Sequence, residues 1–222
     1  SDGAITLMSA NPEFGSNVKT SMPMILADEL GVDWNKITVE QADFYPERFQ
    51  RQFTGGSQGI RQGWKPLRTT GATARQMLIS AAAITWNVPA SEITSKAAVL
   101  NHRASNKSAS YGEMASLAAT MPVPTDVPLK KLSDLYIVGT SRKNVDGKRI
   151  VTGKPQFGID HKQEGMLIAM IVHPPAFGQR VKSVDDAAVR SMPGIKDVFR
   201  LPTIKDDYER NAFDTTTFTE LV

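Results

Sequence analysis

The chain has 222 residues, 41% of them hydrophobic, so it is long enough for one large or two small folded domains. Its 26 lysines and arginines barely outnumber its 23 aspartates and glutamates, and their scatter excludes the dense basic patch of a nucleic-acid-binding protein. The lack of cysteine excludes disulfides, thiolate zinc sites and iron–sulfur ligation within this chain, and no apolar stretch reaches the roughly 18 residues of a membrane helix.

The first 41 residues predict a strand, a helix and a second strand. Residues 4–8 are strand-like, and apolar and polar residues alternate along residues 37–41, as in a half-buried strand. Between them, residues 22–30 predict a short apolar helix with Ser21 as N-cap. Gly31 follows as the stop signal of that helix.

A long helix is predicted next, ending at Trp86. Apolar and small residues recur there at spacings of three and four, namely at Ile60, Trp64, Leu67, Gly71, Ala74, Leu78 and Ala81. The small members of this face allow another element to pack close to it. Arg61, Arg68 and Arg75, spaced by seven, form one stripe, which either faces an anionic cofactor or, as the favoured interpretation, is a solvated helix face.

The rest of the chain predicts a second part with its own strands. Ser110 is predicted to cap a helix, with Glu113 at the capping-box position, and the three prolines of residues 121–128 indicate an extended connector. The continuous apolar run 166–172 predicts a buried strand. We therefore expect an α+β fold in two parts, residues 1–135 and residues 136–222.

Two turns bearing glycines and hydroxyl or amide side chains stand just before predicted helices. They consist of Gly15, Ser16 and Asn17, and of Thr54, Gly55, Gly56 and Ser57. Helix N-termini present unpaired N–H groups and a positive dipole end, which suits phosphate or the edge of a pterin. The alternative is that both are ordinary turns without a ligand, since these residue types also favour turns for local reasons.

Other candidate catalytic or metal-binding residues are isolated in the sequence. The three histidines, His102, His161 and His173, lack a partner at metal-ligand spacing, so structural or surface roles are favoured. Glu13 and Glu164 are candidate acids or bases, but nothing near them in the sequence pairs with them. No nucleophile elbow, P-loop or dinucleotide fingerprint occurs, so we assign neither a catalytic residue nor a protein-held metal.

Several short motifs in a fixed order carry a resemblance to a known family. They are Glu13-Phe14-Gly15, Ala27-Asp28-Glu29-Leu30-Gly31, Thr54-Gly55-Gly56-Ser57, Leu67-Arg68, Tyr111-Gly112-Glu113 and Val127-Pro128-Leu129-Lys130, and, in the second part, Phe157-Gly158-Ile159-Asp160 and Pro193-Gly194. Through them the chain resembles the large subunit of molybdenum hydroxylases, the xanthine dehydrogenase and aldehyde oxidase superfamily. The isoquinoline 1-oxidoreductase β-subunit type is the closest match.

The resemblance implies part of a molybdopterin-binding domain at residues 1–135 and part of an α/β hammerhead domain at residues 136–222. It implies an oxidoreductase that hydroxylates aldehydes or N-heterocycles with oxygen from water, using a molybdenum–pterin dinucleotide cofactor. Both turns would contribute to the cofactor site. Electrons would pass to a small partner subunit with two [2Fe–2S] clusters, and a periplasmic location is favoured over a cytoplasmic one.

The resemblance also implies that the chain is a portion of a longer polypeptide. The family's catalytic glutamate lies in a later segment, so we expect this portion alone to be inactive and to need the remainder of its polypeptide. The family usually has Gly-Gln-Gly where this chain has Gly15-Ser16-Asn17, and Ser16 has a shorter reach than glutamine. The alternative is therefore a non-catalytic homologue that acts as a binding or scaffold subunit.

Overall fold

A computed structural model describes residues 3–49, 52–154, 157–173, 175–176, 179, 181–202 and 220–221. The chain divides into two compact units, Ser1–Pro155 and Gln156–Val222. Helices and strands are mixed along the chain, which confirms the predicted α+β class.

The first unit opens with a parallel βαβ arrangement. Strand β1 is Ile5–Ser9, helix α1 is Val18–Leu30 and strand β2 is Ile37–Gln41. The two strands pair in parallel, with Ile5 opposite Ile37. Both predicted strands are therefore confirmed, and because α1 connects parallel strands, it returns across the sheet from the end of β1 to the start of β2.

Helix α2, Gly59–Trp86, packs directly against α1 and confirms the predicted long helix. The close approach occurs at Gly71, where an added Cβ would lie 2.5 Å from the Leu26 carbonyl oxygen and 2.9 Å from Glu29 Cβ. Only glycine leaves room for the α1 backbone here. The core around this contact contains Leu7, Met24, Ala27, Leu30, Leu78, Ala81 and Trp86.

Short elements complete the end of this core: 3-10 turns at Trp34–Lys36, Ala90–Glu92 and Leu132–Asp134, strands β3 (Ile93–Lys96), β4 (Val99–His102) and β5 (Lys107–Ser110), and helix α3 (Tyr111–Ala118). The strands form an antiparallel sheet in the order β3-β4-β5. At the start of α3 the Glu113 N–H donates to Ser110 Oγ, and the Ser110 N–H donates to Glu113 Oε2 at 2.7 Å. The predicted capping box is confirmed.

Residues 128–154, here called the strap, are bonded back onto α1 and include the short helix α4, Gly147–Val151. The fully buried Asp28 carboxylate accepts N–H groups at 2.8–3.1 Å from Tyr136, Ile137 and Val138. Lys19 Nζ pairs with Asp146 Oδ2 at 2.6 Å. These contacts tie residues 136–154 to the first unit, whereas the sequence-based division fell at 135/136; where the family's domains divide stays a prediction.

The second unit has little regular structure among its described residues: a 3-10 turn at Gly158–Asp160, helix α5 (Ala187–Arg190) and the antiparallel strands β6 (Leu201–Pro202) and β7 (Glu220–Leu221). The buried strand predicted at residues 166–172 is wrong, since these residues are exposed and form no strand. An apolar run forms a buried strand only where other strands or helices cover it. No described strand pairs with residues 166–172. No described helix is long and apolar enough to cross a membrane.

Candidate functional site

The two predicted turns lie next to each other at one edge of the first unit. Each follows a strand of the parallel pair β1–β2 and precedes α1 or α2, and the carboxyl ends of parallel strands share an edge. Thr54 Oγ1 donates to the Pro12 carbonyl at 2.7 Å, and Asn11 Nδ2 donates to the Phe53 carbonyl at 2.7 Å. The structure thus brings together two segments whose bonded residues are 42 positions apart in the chain.

The first turn is shaped by Glu13. Its Oε1 accepts the N–H groups of Gly15 at 2.7 Å and Asn17 at 2.9 Å, and its Oε2 accepts that of Lys19 at 2.9 Å. Partial burial raises the pKa of Glu13, but the backbone donors Lys19, Gly15, Asn17 and Ser16 together lower it below its ordinary value. The expectation that Glu13 has no nearby partner is therefore wrong, because its partners are backbone groups, which residue types do not reveal.

With its amides bonded to this carboxylate, α1 starts earlier than the sequence predicts. The helix begins at Val18, not at residue 22, and its N-cap is Asn17, with φ of 65°, rather than Ser21. Asparagine tolerates this left-handed conformation. Ser21 lies within the helix, where its Oγ donates to the Asn17 carbonyl at 3.1 Å.

The second turn is closed by its own backbone, and at Gly56 it adopts a left-handed conformation that favours glycine. The Gln58 N–H donates to the Gly55 carbonyl at 3.2 Å, with positive φ at Gly56 (59°) and Ser57 (55°). A Cβ on Gly55 would lie 2.6 Å from the Phe53 ring. Among the described residues, no acceptor is bonded to the first three N–H groups of α2, those of Gly59, Ile60 and Arg61.

The predicted arginine stripe does not act as one surface. Arg68, only 8% exposed, donates from Nε to Glu29 Oε1 at 2.7 Å, and Arg75 donates to the Glu29 carbonyl at 2.6 Å. Of the three arginines, Arg61 alone is exposed, bonded to Gln58 Oε1 at 2.5 Å beside the second turn. Both sequence-based interpretations are therefore wrong for Arg68 and Arg75, which join α1 to α2.

Exposed aromatic side chains accompany the two turns. Phe14, 67% exposed, lies within the first turn, and Phe53, 43% exposed, directly precedes the second. Phe44, 76% exposed, belongs to the loop that connects β2 to the second turn. These rings offer apolar surface beside N–H and hydroxyl donors, a combination that suits an organic ligand with both ring and polar parts.

The described residues hold no group of three histidine, cysteine, aspartate or glutamate side chains arranged for a metal ion. His102, which the sequence predicts to be structural, is buried and bonded to Glu92 Oε2 at 2.8 Å. The donors that the two turns do offer are backbone N–H groups and the hydroxyls of Ser16 and Ser57. Such donors bind organic and anionic groups rather than metal ions directly.

Comparison with known protein families gives a match that includes both turns. Residues 1–155 match the family described as the molybdopterin cofactor-binding domain. The chain belongs to this family. The predicted resemblance to the large subunit of molybdenum hydroxylases is confirmed.

Three known proteins are similar in sequence to most of this chain. The chain is 30% identical to the β-subunit of isoquinoline 1-oxidoreductase from Brevundimonas diminuta, over 90% of this chain and 31% of the relative. It is 30% identical to a membrane-bound aldehyde dehydrogenase (pyrroloquinoline-quinone) of Gluconacetobacter polyoxogenes, over 87% of this chain and 26% of the relative. It is 26% identical to a subunit of nicotinate dehydrogenase from Pseudomonas putida, over 87% of this chain and 17% of the relative. The chain thus spans less than a third of the length of each relative.

The residues of this molybdopterin-binding portion fit the family's cofactor unevenly. The second turn, residues 54–57, leaves the adjoining α2 amides open and places Ser57 at the surface. At the first turn the amides are already filled by Glu13, while the buried Asn17 Oδ1 has no hydrogen-bond partner. The first turn therefore fits an uncharged donor group of a ligand, but not an anion.

Proposed function

We propose that the chain is part of the large subunit of a molybdenum-dependent oxidoreductase that hydroxylates aldehydes or N-heterocycles with oxygen from water. The observation that carries this proposal is the match of residues 1–155 to the molybdopterin cofactor-binding family. The names of the relatives, which include an isoquinoline oxidoreductase, an aldehyde dehydrogenase and a nicotinate dehydrogenase, support both substrate classes. When bound, the molybdenum cofactor supplies the two-electron oxidation.

Within this proposal the chain's own residues bind and orient the cofactor rather than react. Residues 54–57, with the N-terminus of α2, present N–H groups and the Ser57 hydroxyl to it. Residues 15–17 approach it through the Ser16 hydroxyl and the Asn17 side chain. The catalytic base belongs to the remainder of the polypeptide, so the portion alone is inactive.

The proposal extends to partners and location. Because the chain contains no cysteine, electrons leave through clusters held elsewhere, and we assign these to a small [2Fe–2S] subunit. Two of the relatives are named as subunits, which supports a multi-subunit enzyme. The second unit corresponds to part of the hammerhead domain, and the assembled enzyme is periplasmic, which cell fractionation tests directly.

The deciding experiment measures molybdenum and released pterin per chain in the complete natural polypeptide, purified with its partners. We expect about one of each, and turnover of aldehydes or N-heterocycles with an artificial electron acceptor. Values near zero, from a host that loads a related enzyme, would favour the non-catalytic homologue. A bound quinone without molybdenum would favour the cofactor named for the Gluconacetobacter relative.

A matched pair of variants tests the second turn. Gly56→Ala places a side chain at φ of 59°, a backbone conformation that residues with a Cβ rarely adopt, so the turn is strained. In Gly63→Ala the close contact at 2.7 Å is the terminal methyl of Met22, which can move. We expect pterin content to fall in Gly56→Ala and to persist in Gly63→Ala. Equal content in both would remove residues 54–57 from the site.

A further inference from the structure

Glu13 occupies the position at which an external anion would bind to α1. Its two carboxylate oxygens accept N–H groups from Gly15, Asn17 and Lys19 at 2.7–2.9 Å. Positive φ angles at Gly15 (109°) and Asn17 (65°) turn the backbone so that these amides converge on one point. Convergent amides at a helix start are the groups that bind phosphate in other proteins, and here the protein supplies its own anion.

The other helix start of the same edge shows the difference. No described residue fills the first amides of α2, because the Gln58 side chain instead accepts from Arg61 and Gln62. The two turns are therefore chemically unlike, although both combine glycine with a hydroxyl-bearing residue and both precede a helix. A glutamate four residues before the N-cap is the sequence feature that separates them.

Resting on the proposed function, we propose that Glu13 is a positioning residue of the cofactor site. Its carboxylate fixes the shape of residues 15–17 and excludes anionic groups from the α1 amides, so that this turn contacts only uncharged parts of the cofactor. The phosphate groups of the dinucleotide must then lie elsewhere in the site. A second negative group at these amides would face the Glu13 charge directly and be repelled.

The variants that test this are Glu13→Ala and Glu13→Gln in the complete polypeptide with its partners. Alanine frees the three amides. Glutamine keeps the side chain's length but has one acceptor oxygen in place of two and presents an amide donor to backbone donors. Glu113→Ala is the matched control, because Glu113 is also a helix-capping carboxylate but belongs to α3.

The first readout is hydrogen exchange of residues 14–19, measured by mass spectrometry in chloride and in inorganic phosphate or formate of equal ionic strength. We expect the native segment to be indifferent to the anion. In Glu13→Ala it should exchange at least about tenfold faster in chloride and be protected again by phosphate or formate. A loss of helix stability alone would not be reversed by a small anion, so this rescue separates positioning from general destabilisation.

The second readout is the rate at which released pterin appears during dialysis. We expect Glu13→Ala and Glu13→Gln to lose pterin about tenfold faster than the native protein and Glu113→Ala, as when supporting residues of a bound group are removed. Phosphate protection of the native segment 14–19, or unchanged pterin loss in both Glu13 variants, would overturn the proposal. If the native protein carries no pterin at all, the proposed function fails, while the exchange measurement still decides whether Glu13 blocks the amides.

Discussion

Gly71 is the residue at which α2 meets the backbone of α1. In Gly71→Ala the new methyl would lie 2.5 Å from the Leu26 carbonyl oxygen and 3.0 Å from the Leu30 nitrogen, and neither can move without shifting α1. We expect a loss of about 1–3 kcal/mol in unfolding free energy, measured by urea denaturation. Gly63→Ala on the same helix is the control: its nearest contact is the flexible end of Met22, and alanine's helix propensity should offset the cost. Equal destabilisation by both variants would contradict this account.

Asp28 holds the strap through three backbone N–H groups, and both of its carboxylate oxygens take part. In Asp28→Asn one oxygen becomes an amide donor facing backbone donors, which leaves buried groups unsatisfied at about 1–3 kcal/mol. We expect faster hydrogen exchange at residues 136–138. Asp33→Asn is the control, since Asp33 accepts from the Asn35 N–H in a short turn outside the strap. Unchanged exchange in Asp28→Asn would show that the strap is held by other contacts.

At the scale of elements, the start of α1 should open in acid. The folded-state pKa of Glu13 lies below its ordinary value of 4.5, so its stabilisation is present above that value. It is lost as the pH falls through the lower, folded-state pKa, when protonation removes the charge that accepts the three N–H groups. We expect the hydrogen-exchange protection factors of residues 15–19 to fall over this acidic range in the native chain. In Glu13→Gln, which has no carboxylate at this position, the fall should be absent. A fall of the same size in the variant would assign the transition to other carboxylates.

The elements that sequence patterns could predict are those whose signals are local. β1, β2, α2 and the Ser110–Glu113 capping box depend on alternation, small-residue spacing or residues three apart. The start of α1 was missed because its cap comes from Glu13, outside the helix. Arg68 was missed because its partner, Glu29, faces it only once the helices cross at Gly71, a contact between residues 39 apart.

The same distinction applies to the candidate site. The two turns were recognisable from glycine and hydroxyl residues before helices, and the structure brings them side by side through Thr54 and Pro12. The backbone amides of the first turn are bonded to Glu13, whereas those at the start of α2 are open. This difference depends on the direction in which the backbone amides point. Backbone direction is set by φ angles such as those of Gly15 and Asn17, which composition does not specify.

At the scale of the whole molecule, the strap decides where the first unit ends. A chain of residues 1–155 keeps every contact of Asp28 with residues 136–138 and the ion pair of Lys19 with Asp146. A chain of residues 1–135 removes those backbone donors and exposes the Asp28 carboxylate, which is fully buried only with residues 136–138 in place. Hydrogen bonds to a charged group contribute about 1.5–3 kcal/mol each, and the fully buried Ile137 side chain is removed as well.

We therefore expect residues 1–155 to unfold cooperatively and residues 1–135, which lack these hydrogen bonds, to be less stable by at least about 3 kcal/mol, or not to fold. Urea denaturation of both chains beside the 222-residue chain measures this difference. Equal stability of the two chains would mean that residues 136–155 add nothing and that the unit is complete at residue 135. A stable 1–155 chain with an unstable 1–135 chain would instead join the strap to the molybdopterin-binding portion, in keeping with the family match over residues 1–155.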